Sequence, residues 1–252
     1  MSRPLAIDLF CGLFGFSEGL IAEGWRTVGF DIEDMCGQFG LEPLPHTGLV
    51  IQDVREICGY ALSEARLFVA SPPCTEYSYM AMPWSRSKQI AAALRGQGEF
   101  PEGYKGSRTI DELNRLFNEC FRIQREASEA AGRHIPMIVE NVKGAIPWVG
   151  RSRWNFGSFH LWGDIPALMP MATARKNNGG SWFAIGSPGQ KELNRNPVNE
   201  AVKCGGSWFG SGNDCSLMRQ HSSKSNARKA ASALIAKIPL TLSRHIAKAW
   251  KP

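Results

Sequence analysis

Cysteine pairs, long apolar runs and tandem repeats are all missing from this chain of 252 residues. The seven cysteines (Cys11, Cys36, Cys58, Cys74, Cys120, Cys204, Cys215) are scattered, odd in number and free of any CxxC spacing. That pattern suggests neither a disulfide framework nor a zinc site, so no metal is expected. No stretch approaches the roughly 18 apolar residues of a membrane helix, and the N-terminus has no apolar core of signal-peptide length. The expectation is a soluble, cytoplasmic protein with no membrane partner, and a monomer by default. Acidic residues are scarce at one end only: residues 171–252 hold 13 Lys/Arg against 3 Asp/Glu, which divides the net charge of +6 into +10 there and −4 in residues 1–170. A polyanion partner and a solvated basic face both fit this asymmetry.

The length suits one α/β domain with a core of its own, or a large domain with a small appendage. Leu5-Ala6-Ile7-Asp8-Leu9-Phe10 reads as a buried strand, followed by a glycine-punctuated turn and a short helix, "SEGLIAEGW", with Ser17 as N-cap. "TVGFDIE", "GLVIQDV", "ARLFVASPP" and "IPMIVENV" are further apolar or β-branched runs that end in polar, Gly or Pro residues. Strands of this kind, separated by helical stretches, predict a parallel sheet with crossover helices. The longest helix is expected from Thr109 to Gly132, with Leu113, Leu116, Phe117, Cys120, Phe121 and Ile123 near one face and Gly132 as the stop. Tyr79 to Arg108 is too long for an ordinary connection and reads as a functional lid or as disorder. After Trp162 the periodicity fades into a Gly, Asn and Ser rich segment in which GGSWF occurs at 179–183 and 205–209. Two copies are too few for a solenoid. They place Trp182 and Trp208 either on a binding surface or in a small core. A helix from Ala227 to Ala236, a break at Pro239 and a final helix through Trp250 complete the pattern.

In an open parallel sheet, ligands gather at the carboxyl ends of the strands. Gly12 and Gly15 follow the first strand and let backbone approach a ligand, or simply make a tight turn. Asp31 and Glu33 after the second strand, and Asp53 after the third, are placed to hydrogen-bond a nucleoside-like cofactor, or to cap helices. In "SPPC" the two prolines stiffen the exit from the fourth strand, which makes Cys74 either an aimed nucleophile or an inert packing residue. One strand later, "VENV" puts Glu140 and an Asn at the end of a buried strand with little structural justification. A carboxyl in an apolar rim can hold a proton near neutral pH and donate it.

Taken together, "DLFCGLFGFSEGL", "GFDIE", "QDVREI", "SPPCTEYS" and "VENVKG", in this order and at these separations, resemble the DNA cytosine-5 methyltransferases. The resemblance spans residue 5 to about 162, with a weaker echo in "ASALIAKIPLTLSRHIAKAW". It implies a Rossmann-like, S-adenosyl-L-methionine (AdoMet) dependent domain over residues 1–170. A small, irregular target-recognition region would occupy 171–225, and helices of 226–252 would return to the catalytic domain. The implied partner is double-stranded DNA with the target cytosine flipped out. Cys74 would attack C6, Glu140 would hold the N3/N4 edge, and Arg153 in "GRSRWNFGSF" would support the base carbonyl. Phe10, Gly12, Leu13, Gly15, Asp31, Ile32, Asp53, Val54 and Pro72 fall at cofactor-contact positions. Tyr79 to Arg108 matches a mobile loop that closes over DNA, with Arg86 and Lys88 on phosphates.

The chain departs from the family pattern at three places. The Arg153 stretch follows VENV unusually soon and lacks the family's Gln. Phe14 stands where Gly is usual, which puts a bulky ring beside the cofactor approach. Lys237 stands where the family tends to have an Asn-containing turn near the methionine part of AdoMet. A lysine facing that pocket would sit near a sulfonium, a repulsion relieved if the cofactor were carboxy-S-adenosyl-L-methionine and the product 5-carboxymethylcytosine. Alternatively Lys237 points to solvent or phosphate. A tRNA cytosine-5 methyltransferase and a catalytically silent DNA-binding relative are the other readings of the same residues.

Overall fold

The apolar runs form the strands of one sheet. The computed structural model describes residues 2–42, 44–75, 77–78, 82–93, 95–100, 110–170, 229, 233–234 and 236–252. Within these lie β1 (Leu5–Leu9), β2 (Arg26–Asp31), β3 (Thr47–Ile51), β4 (Leu67–Ala70), β5 (Met137–Asn141), β6 (Trp154–Phe156) and β7 (Phe159–Gly163), side by side in the order β3-β2-β1-β4-β5-β7-β6. β1 to β5 pair in parallel, and β7 runs antiparallel to both β5 and β6. Every residue of β4 and β5 is buried, as expected of central parallel strands covered on both faces. The fold is the expected Rossmann-like α/β sheet. Strand order reverses between β1 and β4, which opens a crevice at their carboxyl ends.

Helices cover both faces. On one, α4 (Ile110–Ala131) lays Phe117, Cys120, Ile123 and Ala127 against Leu9, Phe68, Ala70 and Val139. Its stripe follows the helical period, and Gly132 ends it in a left-handed conformation (φ 61°) as expected. On the other face, α1 (Gly15–Ala22) and α6 (Leu240–Ala249) bring Phe16, Leu20, Leu242 and Ile246 onto Ala6, Leu67, Val69 and Ile138. Each such side chain contributes about 1.5–3 kcal/mol when fully buried. α1 and α6 touch closely at Gly19, where an added Cβ would lie 2.2 Å from Ser243 Oγ and 2.5 Å from Arg244 N. Beside this contact, the buried Trp25 donates its indole N–H to the Ala247 carbonyl at 3.1 Å. The short helices are α2 (Met35–Gln38), α3 (Trp84–Ala93) and α5 (Ile146–Val149).

Three local expectations change. Ser17 is not an N-cap: α1 starts at Gly15, and the capping position belongs to Phe14, which is left-handed and makes no side-chain cap. The Ser17 hydroxyl instead donates to Asp8 at 2.7 Å. The 79–108 stretch contains the ten-residue helix α3, while 79–81, 94 and 101–108 lie outside the described residues. The 171–225 region, both GGSWF copies and most of 227–236 also lie outside them. α6 is the expected final helix, and it packs on α1.

Candidate active site

β1 delivers the chain into a turn with three left-handed residues, Phe10 (φ 56°), Gly12 (48°) and Phe14 (55°). Left-handed backbone in a non-glycine residue costs about 1–3 kcal/mol and persists where its surroundings fix it. Here the Cys11 amide donates to the Phe30 carbonyl at 3.1 Å, and the Gly12 amide donates to Asp31 Oδ2 at 2.9 Å. A Cβ at Gly12 would meet no atom within 4 Å, so the outer side of the turn is open to a ligand. Gly15 has a different reason for being glycine: its Cβ would lie 2.5 Å from Ile238 N, so it admits the segment before α6. Phe14 does not crowd the ligand side. Its ring is buried against β2, where Gly29 leaves room for it: a Cβ there would lie 2.5 Å from Phe14 Cε1 and 2.7 Å from Cys11 Sγ.

The acids at the strand ends differ in partners. Asp8 on β1 is 1% exposed, and its Oδ2 accepts from both the amide and the hydroxyl of Ser17. Burial raises it to about 7, against the opposing pull of Ser17. Asp31 is also pushed up by burial, with the amides of Gly12, Glu33 and Ile32 resisting. Asp53 caps a short 3-10 turn by accepting from the Arg55 amide at 2.9 Å, and it is ion-paired with the Arg55 guanidinium. Hydrogen bonds from Arg55 hold Asp53 down at about 2.

Beyond β4, the Ser71 amide still donates to the Leu9 carbonyl at 3.1 Å before Pro72 and Pro73 carry the chain out of the sheet. Asn141, at the end of β5, gives that exit its fixed path. Its Nδ2 donates to the Pro72 carbonyl at 3.0 Å, and its Oδ1 accepts from the Val142 amide at 2.8 Å. The Asn of "VENV" therefore has a structural reason that its sequence context hid. After Cys74 the chain turns at once, with the amides of Tyr77 and Ser78 donating to the Cys74 carbonyl at 3.0 and 2.8 Å. Tyr77 is buried, and its hydroxyl donates to Asn114 Oδ1 at 3.0 Å on α4. Asn114 Nδ2 in turn donates to the Trp148 carbonyl on α5 at 2.9 Å. Gly144 lets the segment after β5 lie against this loop, because a Cβ there would lie 2.1 Å from the Tyr77 carbonyl oxygen.

These parts line one cavity of about 960 Å³, at the upper end of the roughly 300–1,000 Å³ usual for ligand sites. Phe10, Gly12, Leu13, Gly15, Asp31, Ile32, Asp53, Val54, Pro72, Cys74, Glu140 and Lys237 all reach it. Two of the described cysteines border it and they differ. Burial, with Asp8 and Asp31 adding to it, pushes the Cys11 thiol far up and keeps it protonated, whereas Cys74 is only half-buried. Lys237 meets the cavity with its charge balanced, its Nζ lying 2.7 Å from Glu18 Oε2 of α1. Arg153 is not among the lining residues. It is exposed at the start of the β6–β7 hairpin, where its amide donates to the Leu161 carbonyl at 2.8 Å. Leu161 of β7 pairs with Glu140 of β5, so the Arg153 backbone lies two strands, roughly 10 Å, from β5.

One wall comes from a helix rather than from a strand end. Glu112, Arg115 and Leu116, in the first turns of α4, also line the cavity. Their i, i+3, i+4 spacing marks a shared helix face. The glycine turn, open above Gly12, and the acids around it fit a nucleoside cofactor carrying positive charge. Among the described residues, no group of three or more His, Cys, Asp or Glu could hold a metal ion, and no helix is long and apolar enough to cross a membrane.

No protein-family model matches the chain, and no curated protein matches it. Several solved structures are similar. One is a candidate DNA modification methyltransferase encoded within an E. coli prophage, at 17% identity and a TM-score of 0.36 over 57% of this chain and 33% of that one. A mutant of Spodoptera frugiperda DNMT2 gives 14% and 0.32 over 56% and 36%. The Entamoeba histolytica methyltransferase EhMeth gives 10% and 0.42 over 99% and 98%. The chain thus spans about a third of the length of the first two.

Proposed function

We propose that the protein is a DNA cytosine-5 methyltransferase using AdoMet. The observation that carries this reading is that Cys74, on a proline-stiffened strand exit, and Glu140 line the same cavity as the open glycine turn. A cofactor site alone would need neither residue.

Phe10, Ile32, Val54 and Leu116 supply apolar surface that suits a planar base, while Asp31 and Asp53 suit the hydroxyl and amino hydrogens of a nucleoside. At the other end, a cytosine turned out of the duplex presents C6 to the Cys74 thiolate and its N3/N4 edge to Glu140. Addition of sulfur to C6 pushes electron density toward C5, and the Glu140 carboxyl, held at the end of β5, steadies the charge that builds on the N3 side. The cofactor supplies the methyl group. Loss of the C5 proton to a base and departure of Cys74 then restore the C5–C6 double bond. Pro72, Pro73 and Asn141 aim Cys74, since an error of about an ångström costs on the order of a hundredfold in rate. Arg153, exposed on the hairpin, is given no part in holding the base.

DNA containing 5-fluorocytosine tests the nucleophile, because the missing C5 proton blocks release. A denaturant-stable adduct is expected with the native chain and none with Cys74→Ala. An adduct that survives the substitution, or no adduct at all, would refute the reading. Mass spectrometry of nucleosides from DNA and tRNA of expressing cells separates a DNA substrate from a tRNA substrate.

One observation favours a second reading of the group transferred. Lys237 lines this cavity, and a carboxylate on the transferable carbon would share its ammonium with Glu18, whose Oε2 lies 2.7 Å away. Carboxymethylated rather than methylated cytosine in the same mass spectra, lost in Lys237→Asn, is the expected signature. Methylcytosine alone in both proteins ends that reading.

A further inference from the structure

Among the described residues, Asp8 and Asp31 line the cavity without a basic ion-pair partner, whereas Asp53 has Arg55 and Lys237 has Glu18. Asp31 spends its charge on three backbone amides. Asp8 has only Ser17, which holds one carboxylate oxygen through its amide (3.2 Å) and hydroxyl (2.7 Å). A buried carboxylate with so little compensation either takes up a proton or awaits a cation. A ligand with a fixed positive charge answers the second need.

Resting on the methyltransferase reading, we propose that Asp8 distinguishes the sulfonium cofactor from its spent product. Methyl transfer converts the positively charged sulfur into a neutral thioether while both forms keep the α-ammonium, so an ionised Asp8 beside the sulfur holds AdoMet more tightly than S-adenosylhomocysteine by the attraction of that one lost charge. The same carboxylate then helps the product leave.

The groups facing Asp8 are Ser17 on α1, Asp31 at the end of β2 and Cys11 in the turn. Cys74, Glu140 and the Lys237–Glu18 pair belong to the same surroundings. Burial raises Asp8 to about 7, so it straddles its two states near neutrality. A cation binding beside it expels the proton. AdoMet affinity therefore rises with pH by roughly tenfold from pH 6 to pH 8, following the ionised fraction of a group that titrates near 7. Affinity for the thioether stays nearly flat.

Calorimetric titration of the full chain with AdoMet and with S-adenosylhomocysteine at pH 6, 7 and 8 tests this. The expected result is an AdoMet to S-adenosylhomocysteine affinity ratio that climbs about tenfold across the range in the native chain. In Asp8→Asn, which keeps an acceptor for Ser17, the ratio should stay at its low-pH value. Ser17→Ala removes a hydrogen bond that favours the charged form, so its midpoint should move to higher pH; if Asp8→Asn does not fold, this variant decides alone. A flat ratio in the native chain, an unchanged climb in Asp8→Asn, or an unmoved midpoint in Ser17→Ala overturns the role of Asp8. Failure of both nucleosides to bind the native chain would instead overturn the methyltransferase reading.

Discussion

Replacing Asn141 by alanine removes the clamp between the ends of β5 and β4 while leaving Cys74 and Glu140 in place. Asn141 is 1% exposed, and its side chain serves the buried Pro72 carbonyl and the Val142 amide at once. A buried group left without its partner costs about 1–3 kcal/mol. Pro72 carries that cost in full, and Val142, which is only part-buried, carries less. The expected loss of unfolding free energy is about 2–4 kcal/mol, read by urea denaturation. The functional loss should be larger than this figure suggests, because Pro72 sits two residues before Cys74, the proposed nucleophile. If freeing the Pro72 carbonyl lets Cys74 drift by about an ångström, single-turnover trapping on 5-fluorocytosine DNA slows by about a hundredfold. Affinity for AdoMet, which the proposed reading seats by the Gly12 turn, should change much less. A variant that stays folded and traps DNA within about twofold of the native rate would refute the claim that Asn141 aims Cys74.

Four further substitutions probe the frame around the site. Gly29→Ala drives a methyl group into Phe14 and Cys11, so a loss of about 1–3 kcal/mol is expected in urea denaturation; pairing it with Phe14→Leu should give a sub-additive loss. Gly19→Ala wedges α1 from α6 at the Ser243 contact and should cost at least as much, with increased Trp25 solvent exposure by fluorescence. Arg55→Ala releases Asp53 from about 2 toward an ordinary carboxylate value. A depressed acid stabilises the folded state above its unfolded value, near 4, and loses that contribution as pH falls toward 2. The native chain should thus exceed Arg55→Ala by less than about 1 kcal/mol at pH 7, given the exposed position of the pair, with the gap closing between pH 4 and 2.

Much of this arrangement was legible in the sequence because strand ends converge at a switch point. "DLF", "GFDIE", "QDV", "SPPC" and "VEN" are far apart in the chain yet border one cavity once their strands pair in parallel. What stayed hidden depended on side-chain direction. Phe14 looked like an obstruction until Gly29, on a neighbouring strand, supplied the space for its ring. Ser17 has a residue type favoured at caps, but the left-handed Phe14 takes the cap position three residues earlier. Arg153 was assigned by motif position alone, and the tight β6–β7 hairpin carries its backbone two strands from Glu140. Leu116 belonged to the apolar stripe of α4 by period, yet the first turns of α4 overhang the crevice.

The seating of α6 on α1 also sets a schedule for synthesis. The partner of the Trp25 indole is Ala247, 222 residues later. At about 5–20 residues per second, roughly 10–45 s separate the two on the ribosome. Through that interval Phe16, Leu20 and Trp25 have no lid, and the cavity lacks the wall formed by Ala236 to Ile238. A nascent chain can therefore display Cys74 long before this cavity has all its walls. Chains broken off early would lack that wall, and they would expose an apolar face that chaperones and proteases recognise.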